Sequence, residues 1–545
     1  ELRYNWNPGF AVNPFNVDGI YFGSQFVHKS NDRGETWQRI SDDLTTNNPD
    51  HQLYKKSGGL TSDVTAAENY TTIVSIVPSP LDEKVIWVGT DDGRVHVTRN
   101  GGNTWTSIED KAKARGLKKG AWVPMIEASP HNASTAFIVM DDHRRSDMGT
   151  YAFKVENYGR KWTSISRSNL RGYALSIQQD HIDPDLLFLG TELGLYVSID
   201  GGSAWTKWSA GVPTVSVMDM AIQERESDLV LGTHGRSIII IDDYSGLRNL
   251  DKDDFKSRLK LLSVSKGIEY SVKQSPSSRF TGDGAFRGEN QPYGSMITFI
   301  MSGRDLKHPD PKMEKARMIA KRAEHNFDDK DLASKKPEGD GKITIKISQG
   351  GTIFRTFKQE VHQGINRIVW NLKKDGKPLA RKPGQEALEQ LPEGREVLPG
   401  VYKVTLTYGD DEDSGSLEVI QDPRTNYSKP DLKANSIALD HLSNINYTAN
   451  MAVERIDFAL HDIDLIKAMI KNAEDGSRKP EGDGETPLLK ASKQADDIKK
   501  ILKDIRKFFR NPEGTKGITD GSFIVTYKIS QGLRLVGGTK GKPSA

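Results

Sequence analysis

Side chains able to do acid–base chemistry collect in turns that follow a repeated Gly-Thr strand. Asp91 and Asp92 come after I-W-V-G-T, Glu192 after L-F-L-G-T, and His234 with Arg236 after L-V-L-G-T. A parallel position after F-I-V-M holds Asp141, Asp142, His143, Arg144 and Arg145. Two carboxylates converging on one face could act as acid and base if burial separated their pKa values. Asp91, Asp92, Glu192 and His234 are therefore the catalytic candidates. Arg144 and Arg145 beside two aspartates read first as a surface charge cluster and second as an anion site. The plainer reading of every such turn is structural, because Asp and His are common in hydrogen-bonded turns. With no cysteine, the chain has no disulfide, thiolate metal site or cysteine nucleophile. No metal or cofactor is expected.

The elements that must carry these turns repeat. Strand-like runs end in Gly-Ser or Gly-Thr at Ile20–Ser24, Ile86–Thr90, Leu187–Thr191 and Leu229–Thr233. Pro-containing turns precede most of them, as in N-P-F-N-V-D, S-P-L-D-E-K, S-P-H-N-A-S and I-D-P-D-L. A second short strand follows and leads into a small box: S-N-D-R-G-E-T-W, T-R-N-G-G-N-T-W, V-E-N-Y-G-R-K-W and S-I-D-G-G-S-A-W. Short strands with turn signals at a period of about 40–50 residues are the pattern of propeller blades. Some five units are expected, the third the most degraded.

Each box reads as a self-contained staple. Asp32, Asn100, Asn157 and Asp200 can accept hydrogen bonds from their own turns. Gly34, Gly102, Gly159 and Gly202 permit backbone angles that side chains disfavour. Trp37, Trp105, Trp162 and Trp205 can pack as apolar plugs between sheets. None of this needs a substrate.

The pattern S-x-D-x-G-x-x-W resembles the Asp-box, or BNR, repeats of sialidases, xyloglucanases and the sortilin luminal propeller. The first and fourth boxes match it fully; the second has Thr98 and Asn100, the third Val155 and Asn157. The resemblance covers about residues 1–245 and implies a propeller whose boxes lie away from the ligand-binding channel. Neither the arginine cluster and Tyr–Glu pair of sialidases nor the two facing carboxylates of xyloglucanases maps onto this chain residue by residue.

The repeats close near Asp242, after the Ile238–Ile241 run. That run lacks a following Trp strand and Tyr4–Pro8 sits mid-blade, so the propeller is expected to be partial, with further blades upstream or in a second chain. Residues 246–303 read as a linker and the first strand of the next domain, and 304–341 as a charged, partly helical insertion. Period-2 strands then occupy 342–425, an antiparallel sandwich. Its G-I-N-R-I-V-W and L-P-G-V-Y-K-V elements resemble the Ig-like domain of flagellar hook-capping proteins, which implies a spacer or docking role. Helical periodicity over 426–512 predicts a hairpin whose apolar faces need a third surface. Residues 513–545 read as a C-terminal extension or linker, and K-P-E-G-D-G, present at Lys336–Gly341 and Lys479–Gly484, as linker both times.

The 545 residues carry 76 basic and 74 acidic side chains, a balance that gives no support to nucleic acid as a partner. No apolar run approaches the ~18 residues of a membrane span. The fold class is thus mainly β: an Asp-box propeller, an Ig-like sandwich and a helical hairpin. The layout resembles the secreted bacterial BNR-repeat or sortilin-like "glycosyl hydrolases". The first reading is a non-catalytic, extracytoplasmic scaffold that binds a protein, peptide or glycan. The alternative is a glycoside hydrolase acting on a polysaccharide.

Overall fold

The computed structural model describes residues 2–52, 69–112, 116–271, 288–303, 305–324, 341–475, 486–511, 521 and 523–543, and divides into two compact units, Glu1–Lys252 and Asp253–Ala545. Most of the K-P-E-G-D-G linker sequence lies outside the described residues.

The described residues of the first unit form five antiparallel sheets in chain order. The first holds β1 (Phe10–Asn13), β2 (Asn16–Gly23), β3 (Val27–Ser30) and β4 (Gln38–Arg39). The second holds β5 (Ile73–Pro78), β6 (Ile86–Thr90), β7 (Val95–Thr98) and β8 (Thr106–Ser107). The third holds β9 (Trp122–Ala128), β10 (Ala136–Asp142), β11 (Asp147–Glu156) and β12 (Lys161–Ser164). The fourth holds β13 (Ala174–Gln179), β14 (Leu187–Thr191), β15 (Gly194–Ser198) and β16 (Thr206–Trp208). The fifth has three strands, β17 (Ser216–Gln223), β18 (Asp228–His234) and β19 (Ile238–Ile241).

Each four-stranded sheet is an up-and-down meander, and from the second onward its first strand packs against the sheet before it: β5 on β1 and β2, β9 on β5 and β6, β13 on β9 and β10. β17 continues the series on β13 and β14. This side-by-side stacking is that of propeller blades. It also explains why I-W-V-G-T and L-F-L-G-T are buried along their whole length. A strand covered on both faces has no polar side to alternate with.

The Gly-Thr pair closes the strand, as the sequence pattern expects. A Cβ at Gly89 would stand 2.6 Å from Val123, and one at Gly190 would stand 2.7 Å from the Val217 carbonyl. The glycine is the gap through which the next sheet's first strand crosses. Gly232 of the fifth sheet meets nothing closer than Asp219, at 3.6 Å.

The second unit has a five-stranded sheet, ordered β21 (Gly267–Glu269), β29 (Asp411–Gln421), β28 (Gly400–Tyr408), β23 (Lys342–Gln349) and β24 (Thr352–Glu360). A three-stranded sheet is ordered β20 (Leu259–Val264), β22 (Ser295–Met301) and β25 (Gly364–Trp370). They share one core that includes Phe299, Ile345, Trp370, Tyr402 and Leu417. β26 (Lys373–Asp375) and β27 (Glu393–Glu396) form a small ribbon beside β24. Helix α1 spans Pro311–Glu324, within the stretch expected to be a partly helical insertion.

The helical hairpin is α2 (Lys429–Asp475) and α3 (Pro487–Phe509), tied by Arg506 to Asp457 at 2.5 Å and by Lys499 to Asp464. The third surface it needs comes from the stretch read as linker. There α4 (Val525–Gly537) packs on α2, and Lys540 then reaches Glu269 at 2.9 Å and Glu396 at 3.0 Å. Among the described residues no helix is long and apolar enough to cross a membrane.

Candidate functional site

The box turns and the turns after the second strands make different contacts. In the first box Ser30 Oγ donates to Asp32 Oδ1 at 2.7 Å and accepts from the Gly34 amide at 2.8 Å, while Asp32 Oδ1 accepts from the Thr36 amide at 2.9 Å. The Thr36 hydroxyl and amide hold the Asp32 carboxyl down at about 2. The fourth box repeats the scheme with Ser198, Asp200, Gly202 and Ala204, and the second with Thr98, Asn100, Gly102 and Thr104. In the third, Val155 has no hydroxyl, and the turn is held with Asn157 and Tyr158 at φ 54° and 53°.

The second, third and fourth boxes also reach the sheet before their own. Trp105 Nε1 donates to the Ile40 carbonyl at 3.0 Å, and Trp205 Nε1 to the Ile165 carbonyl at 2.8 Å. Gly102 lies against Ile40, Gly159 against Ile108 and Gly202 against Ile165. Trp205 is accordingly 4% exposed, whereas Trp37, with no sheet before its own among the described residues, is 45% exposed.

The acid–base candidates part company. Asp91 is 0% exposed and accepts from the Thr72 amide at 2.8 Å, the Thr72 hydroxyl at 2.6 Å and Asn5 Nδ2 at 3.2 Å. Burial, with Asp92 beside it, pushes the Asp91 carboxyl up to about 7. Asp92 is 2% exposed and accepts from the Thr46 amide and hydroxyl and from the Thr90 hydroxyl. Both lace the turn after β6 to neighbouring segments and present no open oxygen to a substrate. Glu192 is partly buried, its amide on the Tyr173 carbonyl, and His234 and Arg236 are exposed on the fifth sheet. Asp141 accepts from His143 Nδ1 at 2.7 Å and Arg144 Nη1 at 3.3 Å, and Asp142 from Arg145 Nε at 2.5 Å.

What the structure adds is a row of rings. His51 and Tyr70 lie 5.2 Å apart, and Tyr70 and Trp122 6.5 Å apart. The Arg144 guanidinium sits 4.0 Å over Trp122, and His143 stacks on Tyr173 at 4.2 Å. Tyr70, Trp122 and Tyr173 are partly exposed, each just before or at the start of a sheet's first strand. Burial raises the Tyr70 and Tyr173 hydroxyls, helped by Asp91 and Asp92 at the first and by Glu192 and Asp141 at the second. The row therefore crosses the second, third and fourth sheets at the end where their second strands finish. The sequence contains its signal: aligning the repeats on β5, β9 and β13 puts an aromatic in N-Y-T-T-I, G-A-W-V-P and R-G-Y-A-L.

A second group escaped sequence reasoning. Gln178 Nε2 of β13 donates to Glu127 Oε1 of β9 at 2.5 Å. Packing around these inner strands pushes the Glu127 carboxyl up to about 8, with Asp219 of β17 adding to the rise, and burial raises Asp219 as well. Nothing in the strand periodicity sets these positions apart. Among the described residues no group of three or more histidines and carboxylates could hold a metal ion.

No protein-family model and no curated protein matches the chain. Among solved structures it is similar to the GH74 xyloglucanase from Xanthomonas campestris, at 19% identity over 42% of this chain and 36% of that one, TM-score 0.33. It is similar to the Myceliophteria thermophila Cps50 (Swd1) beta-propeller domain, at 12% identity over 44% and 66%, TM-score 0.30. It is also similar to the extracellular domain of a putative hybrid two component system from B. thetaiotaomicron, at 9% identity over 77% and 44%, TM-score 0.31. The chain spans 45% of the length of a Niastella koreensis GH74 enzyme that it also resembles, at 16% identity over 44% of this chain, TM-score 0.30.

Proposed function

We propose that this chain is a non-catalytic binding scaffold, secreted or otherwise extracytoplasmic, whose first unit is an Asp-box propeller and whose two-sheet body is an Ig-like domain. The ligand, a glycan, peptide or protein segment, lies along the row Tyr70, Trp122, Arg144, His143 and Tyr173. The observation that carries this reading is the run of partly exposed ring faces across three sheets. Sugars and peptide side chains both stack on such faces, and aromatics with arginine anchor recognition surfaces. The burial of Asp91 and Asp92 weighs against catalysis at the turns. The exposed Trp37 suits it to receive a further blade, upstream or in a second chain, as Trp105 and Trp205 receive theirs.

Screening soluble polysaccharides and peptides by calorimetry against wild type and Trp122→Ala tests the proposal. The variant should lose binding by about ten-fold or more while melting normally, the mark of an anchor residue. Equal affinity of the two proteins for every ligand found would sink it.

The alternative, a glycoside hydrolase, draws on Glu127 and Asp219. A carboxyl still protonated near neutral pH beside a second carboxyl is the pairing that acid–base hydrolysis uses. Sugar release that survives neutralising Asp91, Asp92 and Glu192 but is lost in Glu127→Gln would establish it.

A further inference from the structure

Neighbouring sheets of the first unit meet by one rule. Tyr21 and Val27 of the first sheet pack with Ile76, Ile86 and Val88 of the second. Trp87, Val95 and Val97 of the second pack in turn with Val123, Ile126 and Ile138 of the third. In the second strands, Tyr21 and Trp87 thus face the sheet that follows, while Ile86, Val88 and Ile138 face the sheet before. The alternation of a strand puts the two sets on opposite sides. Each sheet has a forward face and a backward face.

Two of these faces are open. Ile238 stands opposite Gly232 as Val95 stands opposite Gly89, so Ile238 and Ile240 lie on the forward face of the fifth sheet. Val95 and Val97 are buried, whereas Ile238 is 66% and Ile240 57% exposed. Gly23, Gly89 and Gly190 are each met by a β-branched residue of the next sheet, Ile73, Val123 and Val217, but Gly232 has only Asp219 of its own sheet near it. On the first sheet Phe10 stands opposite Phe22 as Ile76 stands opposite Val88, which puts Phe10 and Val12 on the backward face. Ile76 is buried, whereas Phe10 is 58% and Val12 66% exposed, and Trp37 holds the place of Trp105 beside them. Contiguous apolar surface of this kind marks an interaction site.

The occupant is given by the junctions already in the chain. Each of them joins one forward face to one backward face, and the two open faces are one of each kind. Their exposure shows that they do not cover each other within one chain. We propose that the forward face of the fifth sheet receives the backward face of the first sheet of a second copy, continuing the stack of sheets across the junction. Each pair keeps one free face of each kind, so the contact is head-to-tail and can add further copies. The inference rests on reading the first unit as stacked propeller sheets. The ring row lies on the second to fourth sheets and is intact in a lone copy.

Sedimentation velocity of the full chain over a wide concentration range tests the proposal. The wild-type mass should rise with concentration from one chain to two or more. Ile240→Glu spoils the forward face and Val12→Glu the backward one; each should weaken self-association by about ten-fold or more, because a carboxylate would be buried without a partner. Both positions are exposed, so the melting temperature of the dilute chain should hold, and Ile238→Glu and Phe10→Glu serve as second variants. Mixing Ile240→Glu with Val12→Glu leaves one sound junction between unlike copies. The mixture should therefore form a one-to-one dimer and nothing larger. A wild type that stays monomeric at every concentration overturns the proposal, as does undiminished association of either variant or a mixture that forms no dimer. A monomeric wild type that still binds ligand through Trp122 would strike this inference and leave the ring row standing.

Discussion

Trp205 Nε1 donates a hydrogen bond to the carbonyl of Ile165, 2.8 Å away and one sheet back in the chain. The fourth box thereby clamps its sheet to the end of the third, and Trp105 does the same to Ile40. A turn that looks self-contained in sequence acts between sheets.

The clamp predicts unequal tryptophans. Trp205→Ala should cost about 3–5 kcal/mol, as the loss of a large buried ring and its hydrogen bond does. From sequence Trp37 would be expected to match it. At 45% exposure, with no preceding sheet to clamp among the described residues, Trp37→Ala should cost roughly 1 kcal/mol or less. Urea unfolding of the two variants separates these outcomes, and equal losses would contradict the clamp.

The strand glycines predict a second contrast. Gly190→Ala forces a methyl against the Val217 carbonyl and should destabilise by roughly 1–3 kcal/mol, as overpacking does. Gly232→Ala occupies the same place in the fifth sheet, where the nearest atom is 3.6 Å off, and should be close to neutral. Thermal melts of the pair read the difference directly.

Two raised carboxyls set a pH dependence. Asp91 and Glu127 keep their protons in the folded chain up to about 7 and about 8, above the ordinary values of 3.8 and 4.5. The folded state then binds more protons than the unfolded one between those limits, so their contribution to stability is complete below pH ~4 and falls away as pH rises to ~8. Asp91→Asn and Glu127→Gln should each flatten that decline, and Glu127→Gln, which keeps an oxygen for Gln178, should also melt higher than wild type at pH 8. A wild-type stability that rises over the same interval relative to the variants would contradict the burial argument.

The ring row predicts a separation of binding from folding on a second residue. Arg144→Ala removes a guanidinium 4.0 Å over Trp122 and should weaken ligand binding several-fold while shifting the melt little, because the side chain lies at the surface. A variant that melts far lower than wild type would mark Arg144 as structural.

Local chemistry was legible in the chain wherever a short stretch suffices to specify it. S-x-D-x-G-x-x-W encodes its own turn, because hydroxyl, carboxylate and backbone amides all lie between Ser30 and Thr36. The repeat of strands followed from alternation and Gly and Pro punctuation, and the helical hairpin from its apolar spacing. What only the tertiary structure decided was which groups meet across sheets. Asp91 looked like a candidate because it lies in the turn after a repeated Gly-Thr strand, yet Thr72 and Asn5 converge on it and remove it from solvent. The glycine of I-W-V-G-T read only as the end of a strand, and the crossing of Val123 made it a packing gap. Tyr70, Trp122 and Tyr173 are each ordinary aromatics beside a strand and become a row only when three sheets stack in order. α4 joined the helices because α2 offers it an apolar face, a fact held by two segments separated by about fifty residues and by neither alone.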